Sequence, residues 1–221
     1  MKTKFVLIST GIGVVPEISA IVKELNPGLD IINFVDDSII RAIAANNNVV
    51  PTSVVRRLTA LFVNAEELGA VGALLTCSSV SEVVDIASKM VSIPCFKIDL
   101  PMADKAIANG TKIGVAATLP TTMEPTKRLL CSRAAAASKD IKLDDSICEG
   151  AYDALQNGDT AKHDKIVSAA IEALAKGNDI VVLAQASMAR AINTLPESLK
   201  VKVLASPRLG VTSALRSLNL I

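Results

Sequence analysis

Eight apolar runs of strand length recur along the chain, at residues 4–9, 29–35, 70–76, 93–98, 111–117, 140–147, 179–185 and 201–205. Longer helical patterns lie between them. A run that is apolar throughout has no polar face to turn to water, so it predicts a strand covered on both sides. Helices between such strands supply the cover, and each makes the crossover that parallel strands need. The expected class is α/β. Two of the helices carry end signals. Thr52 or Ser53 caps a stretch that Gly69 closes, and Asp159 caps one that ends at Gly177.

The layout also repeats. Thr10 and Thr118 follow the first and fifth runs, Cys77 and Gln185 end the third and seventh, and Ile93 and Val201 open the fourth and eighth. The members of each pair stand at one common offset. The repeat predicts two similar Rossmann-like domains related by a pseudo-twofold, each a small four-stranded parallel sheet flanked by helices. The expected boundaries are 1–98 with 206–221 for the first domain and 99–205 for the second. Ligands of open parallel sheets collect at the carboxyl ends of the strands. Cys77 and Gln185 are therefore expected to face each other across an interdomain cleft.

Charge and composition narrow the function. Lys and Arg number 23 against 22 Asp and Glu, a net charge of +1 that attracts neither nucleic acid nor an anionic membrane. No apolar run approaches the roughly 20 residues of a membrane span. The opening "MKTKFVLIST" goes directly into a strand pattern rather than a signal peptide, so the chain reads as cytoplasmic. Cys77, Cys95, Cys131 and Cys148 form no CxxC pair and read as reduced thiols. One histidine, His163 in the charged stretch "AKHDK", reads as a solvated helix residue and leaves no Cys/His zinc cluster or protease pair. Four phenylalanines and one tyrosine give little surface on which to stack a nucleobase.

The segment "LLTCSSVSEVV" places Cys77 where a strand hands over to a helix. Only a thiolate is basic, its reference pKa is about 8.5, and a helix N-terminus lowers it. The same turn offers Thr76, Ser78 and Ser79 as donors for a carboxylate or an enediolate. Ser9 and Thr10 add to them, as do Thr118, Thr121 and Thr122 of "ATLPTT". Cys95 and Cys131 read as core residues, and so does Cys148, although it ends the sixth strand. Gln185, with Ala186 and Ser187, either orients a substrate or caps the next helix. Asp36 and Asp37 either hold a substrate ammonium or amide group or cap a helix. A rival reading takes Gly11-x-Gly13 in "STGIGVVPE" as a dinucleotide loop, but Pro16 stands where its third glycine belongs.

"LLTCSSVS", "IGVAATLPTT" and "VVLAQASMARA" together resemble the aspartate/glutamate/hydantoin racemase superfamily. "INFVDDSII" and "FKIDLPMADKAI" resemble its hydantoin-racemase-like branch. The resemblance covers nearly the whole chain. It implies two α/β domains, an active site between them and no cofactor. It also implies a pair of cysteines, one of which removes the proton alpha to a carboxylate or carbonyl while the other returns a proton on the opposite face. Cys77 matches the first, and hydroxyls at the matching positions hold the substrate carboxylate. The second cysteine falls at Gln185, whose primary amide is not a general base. The arylmalonate decarboxylases, a related group, also work with one cysteine but retain the one in the other half.

The expected function is a cofactor-independent isomerase acting on a small carboxylate or imide, with Cys77 and Gln185 at the reacting centre and no metal, nucleic acid or membrane partner. The alternatives are a one-cysteine decarboxylase or lyase of the same fold, and a non-catalytic small-acid-binding protein. Self-association into a homo-oligomer stays open.

Overall fold

The computed structural model describes residues 2–221. The chain runs β1 (Lys4–Ser9), α1 (Val15–Leu25), β2 (Asp30–Val35), α2 (Ile39–Ala45), α3 (Thr52–Glu67), β3 (Ala73–Leu75), α4 (Val84–Ala87) and β4 (Cys95–Lys97). It continues through α5 (Leu100–Asn109), β5 (Lys112–Ala117), α6 (Pro120–Ala136), β6 (Lys142–Ile147), α7 (Ala151–Gln156) and α8 (Thr160–Ala175). Last come β7 (Ile180–Leu183), α9 (Glu197–Lys200), β8 (Val203–Ala205) and α10 (Ser206–Ser217). The strands form two parallel four-stranded sheets in the orders β2-β1-β3-β4 and β6-β5-β7-β8.

Two compact units result. One comprises the residues up to Asp99 together with Pro207–Ile221, and the other is Leu100–Ser206. In the first unit, alternate residues of the central strands enter opposite faces of the sheet, as the two-residue pleat requires. Val6, Ile8, Ala73 and Leu75 pack beneath α2 and α3 against Ile43, Leu58 and Phe62. Phe5, Leu7 and Leu74 pack on the other face, with Ile18 and Val22 of α1 and Val211, Ala214 and Leu215 of α10. Thus α10, which follows the whole second unit in sequence, completes the core of the first. Gly210 lets it approach closely. A Cβ there would collide with the Ile98 carbonyl oxygen and lie 2.8 Å from the Ile98 Cα. The second unit's core joins Val181, Leu183 and Ala116 to Val167 and Ile171 of α8.

Several local expectations change. The edge strands β2 and β6 are not covered on both faces, for Asp30, Asn33, Asp144 and Asp145 lie exposed. An edge strand has a neighbour on one side only, and polar side chains suit its exposed positions. The cap of α3 is Pro51 rather than Thr52 or Ser53, and Gly69 closes that helix at a φ of 70°. Asp159 does cap α8, accepting from the Lys162 N–H at 3.0 Å. His163 is not solvated but fully buried, because it opens the stripe His163, Val167, Ile171 and Ala175 that faces the core. Its Nδ1 lies 2.8 Å from Asp164 Oδ1. Cys131 is exposed rather than buried, since the inner stripe of α6 runs through Thr126, Leu130 and Ala134. Among the described residues no helix is long and apolar enough to cross a membrane.

Candidate active site

Strand register brings the first group of site residues into one row. Ile8 of β1 pairs with Leu75 of β3, which pairs with Lys97 of β4. The pairing continues past the strands, with the Thr76 N–H donating to the Ile8 carbonyl at 2.9 Å and the Ile98 N–H to the Leu75 carbonyl at 3.1 Å. Thr10, Cys77 and Asp99 therefore stand side by side at the carboxyl ends of three strands. Asp36 extends the row beyond Thr10, its N–H donating to the Ser9 carbonyl at 3.0 Å.

Cys77 is half-buried. Its extended backbone enters a 3-10 turn over Ser78–Val83, and α4 behind that turn is only four residues long. The expected α-helix N-terminus, with its sustained dipole, is absent at this position. What Cys77 has instead is a set of individual donors: the Thr10 hydroxyl and both the N–H and the hydroxyl of Ser79. The expected lowering of its pKa is reversed. Burial pushes the thiol up, the donors offset part of that, and the charge of Asp99 pushes it further up.

The surrounding hydroxyls are tightly framed. Ser9 and Thr76, both buried, share a hydrogen bond of 2.8 Å between their side chains. Ser78 bonds the Asp99 carboxyl, which also accepts from Ser81 Oγ at 2.6 Å. Asp99 is 1% exposed, and burial raises its pKa. It is a site residue that sequence reasoning missed. Asp36 is bound to Arg57 and Ser38. Burial pushes its carboxyl up, but these partners outweigh that and hold it below the usual range. Asp36 thus anchors the start of α2. Asp37 beside it is exposed.

The second unit repeats the row with different residues. Ala116 of β5 pairs with Leu183 of β7, so Thr118 stands beside Gln185. Gln185 Oε1 accepts from the Thr118 N–H at 2.5 Å, and its Nε2 donates to Thr118 Oγ1 at 2.7 Å. Gln185 makes no side-chain cap bond to the 3-10 turn Ala186–Thr194 that it precedes. Its amide is a clamp on Thr118. Thr121 and Thr122 are buried in the first turn of α6, and Thr121 Oγ1 has no hydrogen-bond partner. Ala186 is buried and Ser187 partly exposed at the start of their turn.

The remaining thiols lie elsewhere. Cys148 follows β6, packs into the second core, and is pushed up to about 11 by burial. Cys95 is half-buried on β4 and also reaches about 11, through burial and the charge of Glu66. A recess of about 650 Å³ is lined by Thr160, Asp164, Ser168 and Thr194 and contains none of the expected site residues.

The sequence matches the family described as Asp/Glu/Hydantoin racemase over residues 6–214. No curated protein matches it. The fold is similar to that of an allantoin racemase from Klebsiella pneumoniae, at a TM-score of 0.72 and 19% identity over 99% of this chain and 89% of that one. It is similar to a glutamate racemase from Francisella tularensis in complex with D-glutamate, at 0.73 and 17% over 100% and 83%. It is also similar to an aspartate racemase from Picrophilus torridus, at 0.72 and 13% over 98% and 94%. At these identities the likeness is one of fold.

Proposed function

The chain belongs to the Asp/Glu/hydantoin racemase family, and from that premise we propose that it is a cofactor-independent isomerase whose Cys77 removes a proton alpha to a carboxylate or carbonyl. The observation that carries the reading is the environment of the Cys77 sulfur at the end of β3, where Thr10 and Ser79 aim three hydrogen-bond donors at it. Such donors favour the thiolate over the thiol at the moment of proton abstraction. The relatives named for allantoin, glutamate and aspartate suggest the substrate class, a small carboxylate or a ring imide. The hydroxyls of Thr118, Thr121 and Thr122 would receive the negative charge that develops on the carboxylate or imide oxygens. The four free thiols suit a reducing compartment such as the cytoplasm.

The clamp on Thr118 favours a supporting rather than a proton-transferring role for Gln185. An amide neither accepts nor supplies the alpha proton, and this one is already committed at both its oxygen and its nitrogen. Cys77 then acts alone, removing and returning a proton on one face. The same observation favours a second reading, a one-cysteine decarboxylase or lyase. There the C–C bond electrons stay on the alpha carbon as carbon dioxide leaves, and the Cys77 thiol supplies the single proton required. A thiol pushed up by burial is well suited to that donation.

The test is incubation with aspartate, glutamate, allantoin and 5-substituted hydantoins in heavy water. The readouts are proton NMR for alpha exchange and chiral chromatography for configuration. The expected result is deuterium at the alpha carbon with the configuration retained, reduced by roughly 100-fold or more in Cys77→Ala. Exchange undiminished in Cys77→Ala would overturn the reading. Inversion as fast as exchange would show a second acid opposite Cys77, and binding without exchange would leave a small-acid-binding protein.

A further inference from the structure

We propose that Asp99 is a positioning residue for Cys77, and that the two groups share a single negative charge, so that ionisation of the acid opposes ionisation of the thiol. The proposal rests on the reading of Cys77 as the reactive thiol.

Three observations carry it. The first is register, since Asp99 follows Lys97 by the same two residues that separate Cys77 from Leu75, and Leu75 and Lys97 are paired. Neighbouring strands lie about 4.8 Å apart, so the two residues are immediate neighbours across the sheet. The second is bonding. Asp99 is 1% exposed and accepts from Ser81 Oγ at 2.6 Å, and Ser78 also bonds it, so the acid grips the turn that follows Cys77 at two points. The third is asymmetry between the units. Two residues, Ile98 and Asp99, separate β4 from α5, whereas α10 follows β8 directly, so the bend that carries Asp99 has no counterpart at the end of the second sheet.

Other charges around the pair are already engaged or exposed. Lys97 of β4 lowers the cost of ionising Asp99, but its Nζ is bound to Asp85 of α4 at 2.7 Å. Asp36 beyond Thr10 is bound to Arg57 of α3, and Glu82 of the turn is exposed. Ionised Asp99 and a Cys77 thiolate would set two negative charges side by side in a partly dry site, an arrangement that proteins avoid by leaving one group protonated. With Asp99 neutral, the Thr10 and Ser79 donors have only burial to overcome.

The experiment reads the thiol directly. The rate of iodoacetamide alkylation at Cys77, followed by peptide mass spectrometry, is measured against pH in the wild type and in Asp99→Asn, which keeps an oxygen for Ser81 and removes the charge. The expected result is a midpoint lowered by about 1–2 pH units in the variant. An unchanged midpoint in a folded variant overturns the proposal, since a purely structural role would alter melting and leave the profile in place. Should Asp99→Asn fail to fold, the Asp99 carboxyl carbon is followed by NMR in the wild type and in Cys77→Ser. A second titration step at the pH of thiol ionisation, lost in Cys77→Ser, supports the proposal, and its absence in the wild type overturns it. Neither measurement uses turnover. Coupling without any alpha exchange would sink the isomerase reading and leave this one standing.

Discussion

At the residue scale, access and ionisation pull the four thiols apart. Cys131 is exposed, whereas burial raises Cys77, Cys95 and Cys148. Iodoacetamide near neutral pH is therefore expected to label Cys131 first, with Cys77 gaining as the pH rises and Cys148 last. Labelling of Cys77 ahead of Cys131 at pH 7 would show that its donors outweigh burial. Gln185→Leu removes the clamp on Thr118 and leaves a partly buried N–H unpaired. Its expected cost is about 1–3 kcal/mol in urea unfolding, against near-neutrality if water replaces the amide. Thr10, Cys77 and Thr118 were legible in the sequence because an apolar run stops at each of them. Asp99 was not, since one acid within "FKIDLPM" gains meaning only when β4 is set in register with β3. The thiol's raised pKa was hidden for a related reason: it comes from burial and from Asp99, and the local sequence around Cys77 shows neither.

At the scale of elements, the period of apolar residues marked the strands, and the first was placed to the residue at Lys4–Ser9. Other strands are shorter than their apolar runs, as at β3, where the run 70–76 yields a strand of Ala73–Leu75. His163 and Cys131 misled because sequence neighbours lie on different faces of a helix. Charged residues flank His163 along the chain, while residues four apart line up beside it. The helix α10 offers a sharper test. Gly210→Ala places a methyl against the Ile98 backbone, which no rotamer change can relieve. The expected loss is about 1–3 kcal/mol, with α10 amides of the variant exchanging faster in hydrogen-exchange measurements. Equal stability of the variant and the wild type would show that α10 can slide outward without cost.

For the whole molecule, two acids set opposite responses to pH. Burial pushes Asp164 up, but Arg190 and His163 outweigh it and hold its carboxyl below the usual range. A lowered folded-state pKa gives stability that is present above the unfolded value of about 3.9 and lost as the pH falls through the folded value. Asp164→Asn should therefore melt lower than the wild type at neutral pH, and the gap should close below about pH 4. Asp99 has the other sign. Its folded-state pKa is raised, so its contribution is fully present below about pH 4 and lost as the pH rises through the folded value. Asp99→Asn should gain on the wild type as melts are taken from about pH 4 to neutrality. A gap independent of pH in either variant would show that its acid does not titrate differently in the folded and unfolded states.

The return of α10 has a consequence for the order of events on the ribosome. Domains generally fold as units in the order of their synthesis, the N-terminal one first. Here the later-made unit, Leu100–Ser206, is the contiguous one. The earlier-made unit waits for Val211, Ala214 and Leu215 to cover Phe5, Leu7 and Leu74. At about 5–20 residues per second, the stretch after Ser206 takes on the order of 1–3 s to emerge. During that interval one face of the first sheet has the cover of α1 but not of α10 and is partly open to chaperones, while the second unit can already be complete. The half that carries Cys77 is thus the last to close, although most of it is the first to be made.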